Sequence, residues 1–188
     1  MKTRWIETEN QYDGSQLRSL FAYLKFGLQG DSIVSWVGPC NVTPEHMVDG
    51  EDLLAHAKIA GDRMVHFIVE KFGATLAEMV WMQRLLAAIV LDIVVQKGRA
   101  KAWREGDDVF VQLANGPGKL SISIATVSPV SGLIHFAVNV VNDGTPVLTS
   151  SLEDFRMAAR DFSDSVMAAF AAEFESVQLA TTKVRWVQ

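Results

Sequence analysis

A single cysteine, Cys40, stands in a chain of 188 residues. It excludes an internal disulfide and any zinc site built from several cysteines. Basic residues are in deficit, since 17 Lys and Arg against 22 Asp and Glu leave a formal charge of −5. Phosphate backbones are bound by clustered Lys and Arg, so no nucleic-acid partner is expected. Long hydrophobic runs are missing too. The greasiest stretch, residues 85–95, is interrupted by Asp92 and is too short to span a bilayer. The start, MKTRWIETEN, has no apolar signal core. No internal repeat, low-complexity tract or linker divides the chain. The expectation is one domain over residues 1–188, in a cytoplasmic protein with no membrane partner. What is present is an ordinary 49% of hydrophobic residues, enough to build a real core at this length.

The most informative stretch is GKLSISIATVSPVSGLIHFAVNVV, residues 118–141. Two strand-like runs are joined by a turn over residues 127–132. Alternation places Leu120, Ile122 and Ile124 on one face of the first run and Lys119, Ser121, Ser123 and Ala125 on the other. In the second run Ile134, Phe136, Val138 and Val140 share a face, and His135, Ala137 and Asn139 oppose them. Both runs thus have an oily face, which calls for a cover of helices. Both also have a small polar face, a candidate ligand floor carrying Lys119, His135 and Asn139.

Along the rest of the chain, periodicity predicts a helix over residues 15–28, begun by Asp13 or Ser15 and ended by Gly27 and Gly30. A strand follows over 32–37 and is broken by Gly38-Pro39. Residues 41–52 form a polar loop that leads to a short helical turn over 52–59. Residues 64–70 alternate as a strand. Residues 75–95 carry a wide apolar helical face, and Gly98 stops it. Residues 101–103 and 109–113 are strands, and Asn115-Gly116 makes a hairpin connector. A turn is expected over 142–146. Ser150 and Glu153 form a capping-box pattern for a helix over 152–175, and 181–187 alternates as a closing strand. This order is not a regular strand–helix alternation. It fits an α+β protein with a mostly antiparallel mixed sheet and helices packed on one face.

The central stretch resembles the catalytic domain of biotin protein ligases, lipoate–protein ligases and octanoyltransferases. Lys119-Leu120-Ser121-Ile122-Ser123-Ile124 looks like their lysine-opened strand. Ile134-His135-Phe136-Ala137-Val138-Asn139-Val140 is similar to the octanoyltransferase His-Gly-x-Ala-x-Asn-Val strand. Over nearly the whole chain the sequence resembles the domain of unknown function 366 family, through Gly38-Pro39-Cys40, residues 47–52 and residues 119–139. The resemblance implies a biotin/lipoate-ligase-like (class II synthetase-like) fold and supplies no activity. Two departures stand beside it. After Val37 the chain has Gly38-Pro39-Cys40-Asn41-Val42 where biotin ligases carry an arginine-containing glycine loop. Residues 147–151 lack the nucleophilic cysteine of the octanoyltransferases.

The resemblance implies that Lys119 contacts an acyl carbonyl or phosphate oxygen, a suitable task for an ammonium where charge grows in a transition state. Otherwise it is an exposed lysine after a turn. His135 is a candidate to orient a substrate or to move a proton near neutral pH, or else it fills a half-buried sheet face. Ser121, Ser123, Asn139 and Gly38 are candidates for holding the ligand. Cys40, beyond a Gly-Pro break, is either an exposed nucleophile or a small packed hydrophobe. Asp49 and Asp52 belong to an acidic group with no recognised metal spacing. They are candidates for Mg²⁺ accompanying ATP, which needs only one or two carboxylates, or they are a solvated loop. Two main readings result. One is an acyl ligase or acyltransferase that binds a small carboxylate or acyl compound, with ATP and Mg²⁺ as its implied cofactors. The other is a non-catalytic small-molecule-binding or interaction protein. A sheet edge near residues 181–187 would suit pairing into a homodimer.

Overall fold

The thirteen-residue strand Ala60–Phe72 is buried on both sides over most of its length, and the rest of the architecture follows from that. Val65, Phe67 and Val69 enter one core, while Met64 and Ile68 enter a second. A strand hydrophobic on both faces must lie in the middle of a sheet covered twice. The computed structural model describes residues 1–145 and 147–187. Its strands are β1 (Lys2–Trp5), β2 (Ser32–Asn41), β3 (Ala60–Phe72), β4 (Ala102–Glu105), β5 (Asp108–Leu113), β6 (Gly116–Lys119), β7 (Ser121–Val127) and β8 (Ser131–Asn139). Its α-helices are α1 (Phe21–Phe26), α2 (Gly50–Ala55), α3 (Leu76–Gly98) and α4 (Ala159–Thr181). One sheet has the order β1-β2-β3-β8-β7, and a small antiparallel one has β4-β5-β6. Among these strands only β1 and β2 pair in parallel, and isolated parallel bridges join Tyr12 to Cys40 and Lys119 to Thr149. The α+β class, with an antiparallel-rich sheet, is as the sequence indicates.

Helices α3 and α4 cover one face of the large sheet. A reciprocal capping box starts α3: Thr75 Oγ1 accepts from the Glu78 amide, and the Glu78 carboxylate accepts from the Thr75 amide at 2.7 Å. Its Met79, Leu86, Ala87, Val90 and Val94 are buried at helical spacing, as are Phe162, Val166 and Phe170 of α4. These side chains meet Ile33, Phe67, Ile134 and Phe136 from the sheet. The opposite face is covered differently. There the N-terminal segment crosses Val34, Trp36, Ile68 and Ala137 with Tyr12, Phe21 and Ala22. Its fit is close, because a Cβ on Gly38 would stand 1.8 Å from the Asn10 carbonyl oxygen.

Several elements differ from the periodicity reading. Residues 15–28 give only α1, because Leu20 takes a left-handed conformation (φ 64°) and its amide donates to the buried Glu70 carboxylate at 2.8 Å. A tertiary anchor bends the chain where local propensity favours a helix. Strand β2 does not stop at Val37. It continues through a bulge between Gly38 and Cys40, with Pro39 exposed and its missing N–H not needed there. The turn over 52–59 is α2, which starts earlier, with Asp49 accepting from the Glu51 and Asp52 amides. Ser151 and Asp154, not Ser150 and Glu153, form the second capping box. It starts a 3₁₀ turn over Leu152–Phe155, and α4 begins only at Ala159. Residues 181–187 are no strand: α4 runs to Thr181, and the remainder is exposed and unpaired with either sheet. Alternation alone makes no strand without a partner edge, and the edge expected to pair two copies is absent there. Pro146, in the turn expected over 142–146, lies outside the described residues. No helix among those described is long and apolar enough to cross a membrane.

The Gly38→Ala substitution is expected to destabilise the protein by about 1–3 kcal/mol, since the added methyl must push the N-terminal segment away. Denaturant unfolding of both proteins measures it, and an unchanged midpoint would show that the segment shifts freely.

Candidate functional site

The site lies where the two sheets join. Strand β6 ends at Lys119, the pairing is interrupted at Leu120, and β7 starts at Ser121. Backbone bonds hold this corner to the segment before α4: the Lys119 amide donates to Leu148 at 3.0 Å, and the Ser150 amide donates to Lys119 at 3.1 Å. The Asn139 side-chain amide closes the corner by donating to the carbonyls of Lys119 and Ser150, both at 3.1 Å. Asn139 thus ties three chain segments with one side chain.

The interruption at Leu120 changes the faces of β7. Leu120 belongs to the core under the helices, as the alternation reading has it. Beyond it the order reverses. Ser123 lies opposite Phe136 on the helix-covered face, and Ile124 lies opposite His135 on the other. Ser123 Oγ donates to Asp107 at 2.6 Å and accepts from Gln83 of α3 at 2.8 Å. Ser121 Oγ accepts from the Val109 amide at 2.9 Å. The β7 part of the expected ligand floor is therefore Ile122 and Ile124, with the serine hydroxyls turned into the protein. On β8 the alternation is as read: Ile134, Phe136 and Val138 face the helices, and His135 does not.

A cleft of about 410 Å3 opens over this floor. Ile122, Ile124 and His135 form its base, and Tyr12 and Leu17 wall it from the N-terminal side. The segment around α2 supplies Val42, His46, Asp49 and Asp52, and the β4–β5 turn supplies Asp107 and Asp108. Lys119 reaches in from the corner, with Nζ 2.8 Å from Asp108 Oδ2 and each side chain 31% exposed. Burial and the neighbouring Asp49 carboxylate hold the Asp52 carboxyl above its ordinary pKa. A second hollow of about 350 Å3 adjoins the cleft, lined mainly by apolar groups such as Ile59, Ala60, Met64 and Val147. Lys119 and Ile122 border both spaces.

Beneath the cleft lies a buried pair of histidines. His66 Nδ1 is 3.1 Å from His135 Nε2, and His66 Nε2 is 3.1 Å from the Gly38 carbonyl oxygen. Tyr12 stacks flat on His135, with centroids 3.6 Å apart and planes 9° apart. Burial pushes the His66 pKa down to about 4. Burial, then the proximity of His66, pushes that of His135 well below the ordinary value. Both rings are neutral at physiological pH.

Of the residues singled out from sequence, Lys119 and His135 converge on one cleft, and Asp49 and Asp52 stand on its rim. Ser123 also lines this cleft, and Ser121 and Asn139 line the adjoining hollow, with their polar groups already engaged by protein partners. Cys40 and Gly38 do not join them as expected. Cys40 is 3% exposed within the second core, and burial pushes its thiol up to about 12, the reverse of what a nucleophile requires. Gly38 gives its carbonyl to His66 and its open side to Asn10. Asp49 Oδ1 caps α2, and among the described residues no three His, Cys, Asp or Glu gather to hold a metal. The sequence reading missed Tyr12, Asp107 and Asp108. Nothing local marks Tyr12. His66 carried a signal, since alternation in MVHFIVE sets it opposite Val65 and Phe67.

This sheet-and-helix layout is a biotin/lipoate-ligase-like fold. A point mutant of the biotin protein ligase from Aquifex aeolicus, solved in complex with biotin, is similar to it with a TM-score of 0.61 at 10% identity, over 93% of this chain and 70% of that one. A lipoate-protein ligase A bound with ATP is similar with a TM-score of 0.54 at 14% identity, over 92% and 85%. The chain itself belongs to the family of the domain of unknown function DUF366, which it matches over residues 1–185. A protein of unknown function from Pyrococcus horikoshi shares 41% identity and a TM-score of 0.92 over the full length of both chains.

The neutral histidine pair makes stability depend on pH. Both folded pKa values lie below the unfolded value near 6.5, so the stabilisation is fully present above that pH. Below it the unfolded chain takes up protons that the folded one refuses. Stability is expected to fall as pH drops from about 6.5 towards 4, by about 3 kcal/mol for His66 alone. Urea unfolding between about pH 7 and pH 5 measures the slope, and a flat midpoint would contradict the burial of two neutral rings.

Proposed function

We propose that this protein binds a small carboxylic acid or acyl compound in the cleft between Lys119 and His135. The observation that carries the reading is the convergence of those two side chains on one cleft, at the corner where two sheets meet. The Lys119 ammonium has three N–H donors, and Asp108 engages one of them. The remaining donors suit a carboxylate or carbonyl oxygen, while Ile122 and Ile124 offer an apolar floor to the body of the ligand. The solved biotin protein ligase holding biotin and a lipoate-protein ligase-like chain holding lipoic acid support an acid of this size in this fold.

The ligase form of the reading adds ATP. Two spaces meeting at one ammonium suit a two-part ligand joined at a carbonyl or phosphoryl group, and a lipoate-protein ligase A of this fold holds ATP. The residues fit a nucleotide only together with a divalent cation. Asp49, Glu51, Asp52, Asp107 and Asp108 surround a single lysine and would repel bare phosphates. In that form Asp49 and Asp52 would hold the Mg²⁺, which would neutralise phosphate charge. The binding-only reading is favoured by the buried Cys40 thiol and by the Lys119–Asp108 ion pair, which already compensates the one cleft lysine.

Calorimetric titration with biotin, lipoic acid and octanoic acid tests the binding. Lys119→Ala is expected to weaken the acid that binds by about ten- to a hundredfold, the worth of a hydrogen bond to a charged group. Unchanged affinity would remove Lys119 from the site. Release of pyrophosphate from ATP and Mg²⁺ that depends on the bound acid would select the ligase form. Acid binding without release would select the binding protein.

A further inference from the structure

One atom, the carbonyl oxygen of Gly38, fixes the hydrogens of the histidine pair. A carbonyl only accepts, so the His66 Nε2 at 3.1 Å from it carries the hydrogen. His66 is neutral and fully buried, which leaves its Nδ1 bare. The His135 Nε2 at 3.1 Å from that bare nitrogen must then be the donor. His135 is neutral as well, so its own Nδ1 is a lone pair.

That lone pair makes no hydrogen bond among the described residues, and it is not sealed off. Ser32 Oγ is the one fully buried side-chain polar atom left without a partner there. His135 is 3% exposed and lines the cleft, which is the open space beside its ring. A half-turn of the ring, which would put Cδ2 in the place of Nδ1, is opposed by Tyr12 lying flat on its face and would break the bond from Nε2 to His66.

We propose that His135 Nδ1 is a fixed hydrogen-bond acceptor that selects a ligand carrying an N–H or O–H donor. The proposal rests on the acid-binding reading and narrows it. Lys119 takes the oxygen of the acid, and His135 takes a donor elsewhere on the same molecule. An acid without such a donor leaves the nitrogen unpaired once cleft water is displaced, and it binds about tenfold or more weakly for that reason. His66 is the positioning residue, since it acts only through the tautomer of His135.

Long-range proton–nitrogen spectra of protein labelled with nitrogen-15 histidine test this on the wild-type chain near neutral pH. His135 is expected as a neutral ring with hydrogen on Nε2 and a bare Nδ1. A ring carrying hydrogen on Nδ1, or an imidazolium, overturns the proposal. Biotin and lipoic acid are then compared, because both carry the same acid chain and only the biotin rings bear N–H donors. Biotin is expected to bind at least about tenfold tighter and to shift the His135 Nδ1 resonance, which lipoic acid leaves in place. Equal affinity, or biotin binding with that resonance unmoved, overturns the selection. If no acid binds while the Nε2–H tautomer is seen, the acid-binding reading fails and the acceptor assignment stands.

Discussion

A hydrogen bond from the His66 ring to the Gly38 carbonyl, sealed from water, is the constraint on which the candidate site depends. It joins β2 to β3 beneath the cleft, and through His66 it reaches β8 at His135. In a low-dielectric interior each member of such a chain must be satisfied by the next, so the orientation of one ring dictates that of the other. The N-terminal segment seals the chain. Tyr12 covers His135, and the Asn10 backbone lies against the open side of Gly38. A glycine is required at position 38 because no side chain fits beneath that segment, so this Gly serves packing and hydrogen bonding together.

The two faces of the large sheet are covered by different means, and the difference creates the cleft. Helices α3 and α4 cover one face continuously, with Phe67 and Phe136 beneath them. The other face is covered by an irregular segment that reaches across β2, β3 and part of β8 and leaves the β7 side open. Regular helices pack to close a surface, whereas a segment anchored at a few points leaves gaps. Its anchors are specific: the Leu20 amide on buried Glu70, and Tyr12 paired with the β2 bulge. The open end collects Lys119 and the acidic side chains, so charge gathers where water reaches, while His66 is sealed beneath and His135 meets the cleft only at one edge.

Much of the fold was legible in the sequence, for particular reasons. Residues 64–70 and 133–141 alternate strongly because their two faces meet different cores, and α3 announces itself through its apolar spacing and through Gly98. That Lys119 and His135 line one site was legible in the alternation, which put both on a polar face, and in the resemblance of residues 119–139 to the ligase domains. Other features had no local signature. Alternation across Leu120 misassigned Ile122, Ser123 and Ile124, because a strand interruption resets parity without changing composition. The helix read over residues 15–28 shrank to Phe21–Phe26 because Glu70, fifty positions away from Leu20, captured its amide. Tyr12 sits in an ordinary polar stretch, and only the folded chain sets it on His135.

The sequence by itself determined the class: apolar periodicities that demand an antiparallel-rich sheet under helices, one cysteine, and a net acidic charge. Those properties are local or summed, and each can be read without knowing what touches what. Tertiary structure alone decided the chemistry of the site. It buried Cys40 and so silenced its thiol, it paired Lys119 with Asp108, and it brought His66 within 3.1 Å of His135 across 69 positions of chain. Burial and hydrogen bonding between distant residues set pKa and tautomer, and neither exists until the chain has closed on itself.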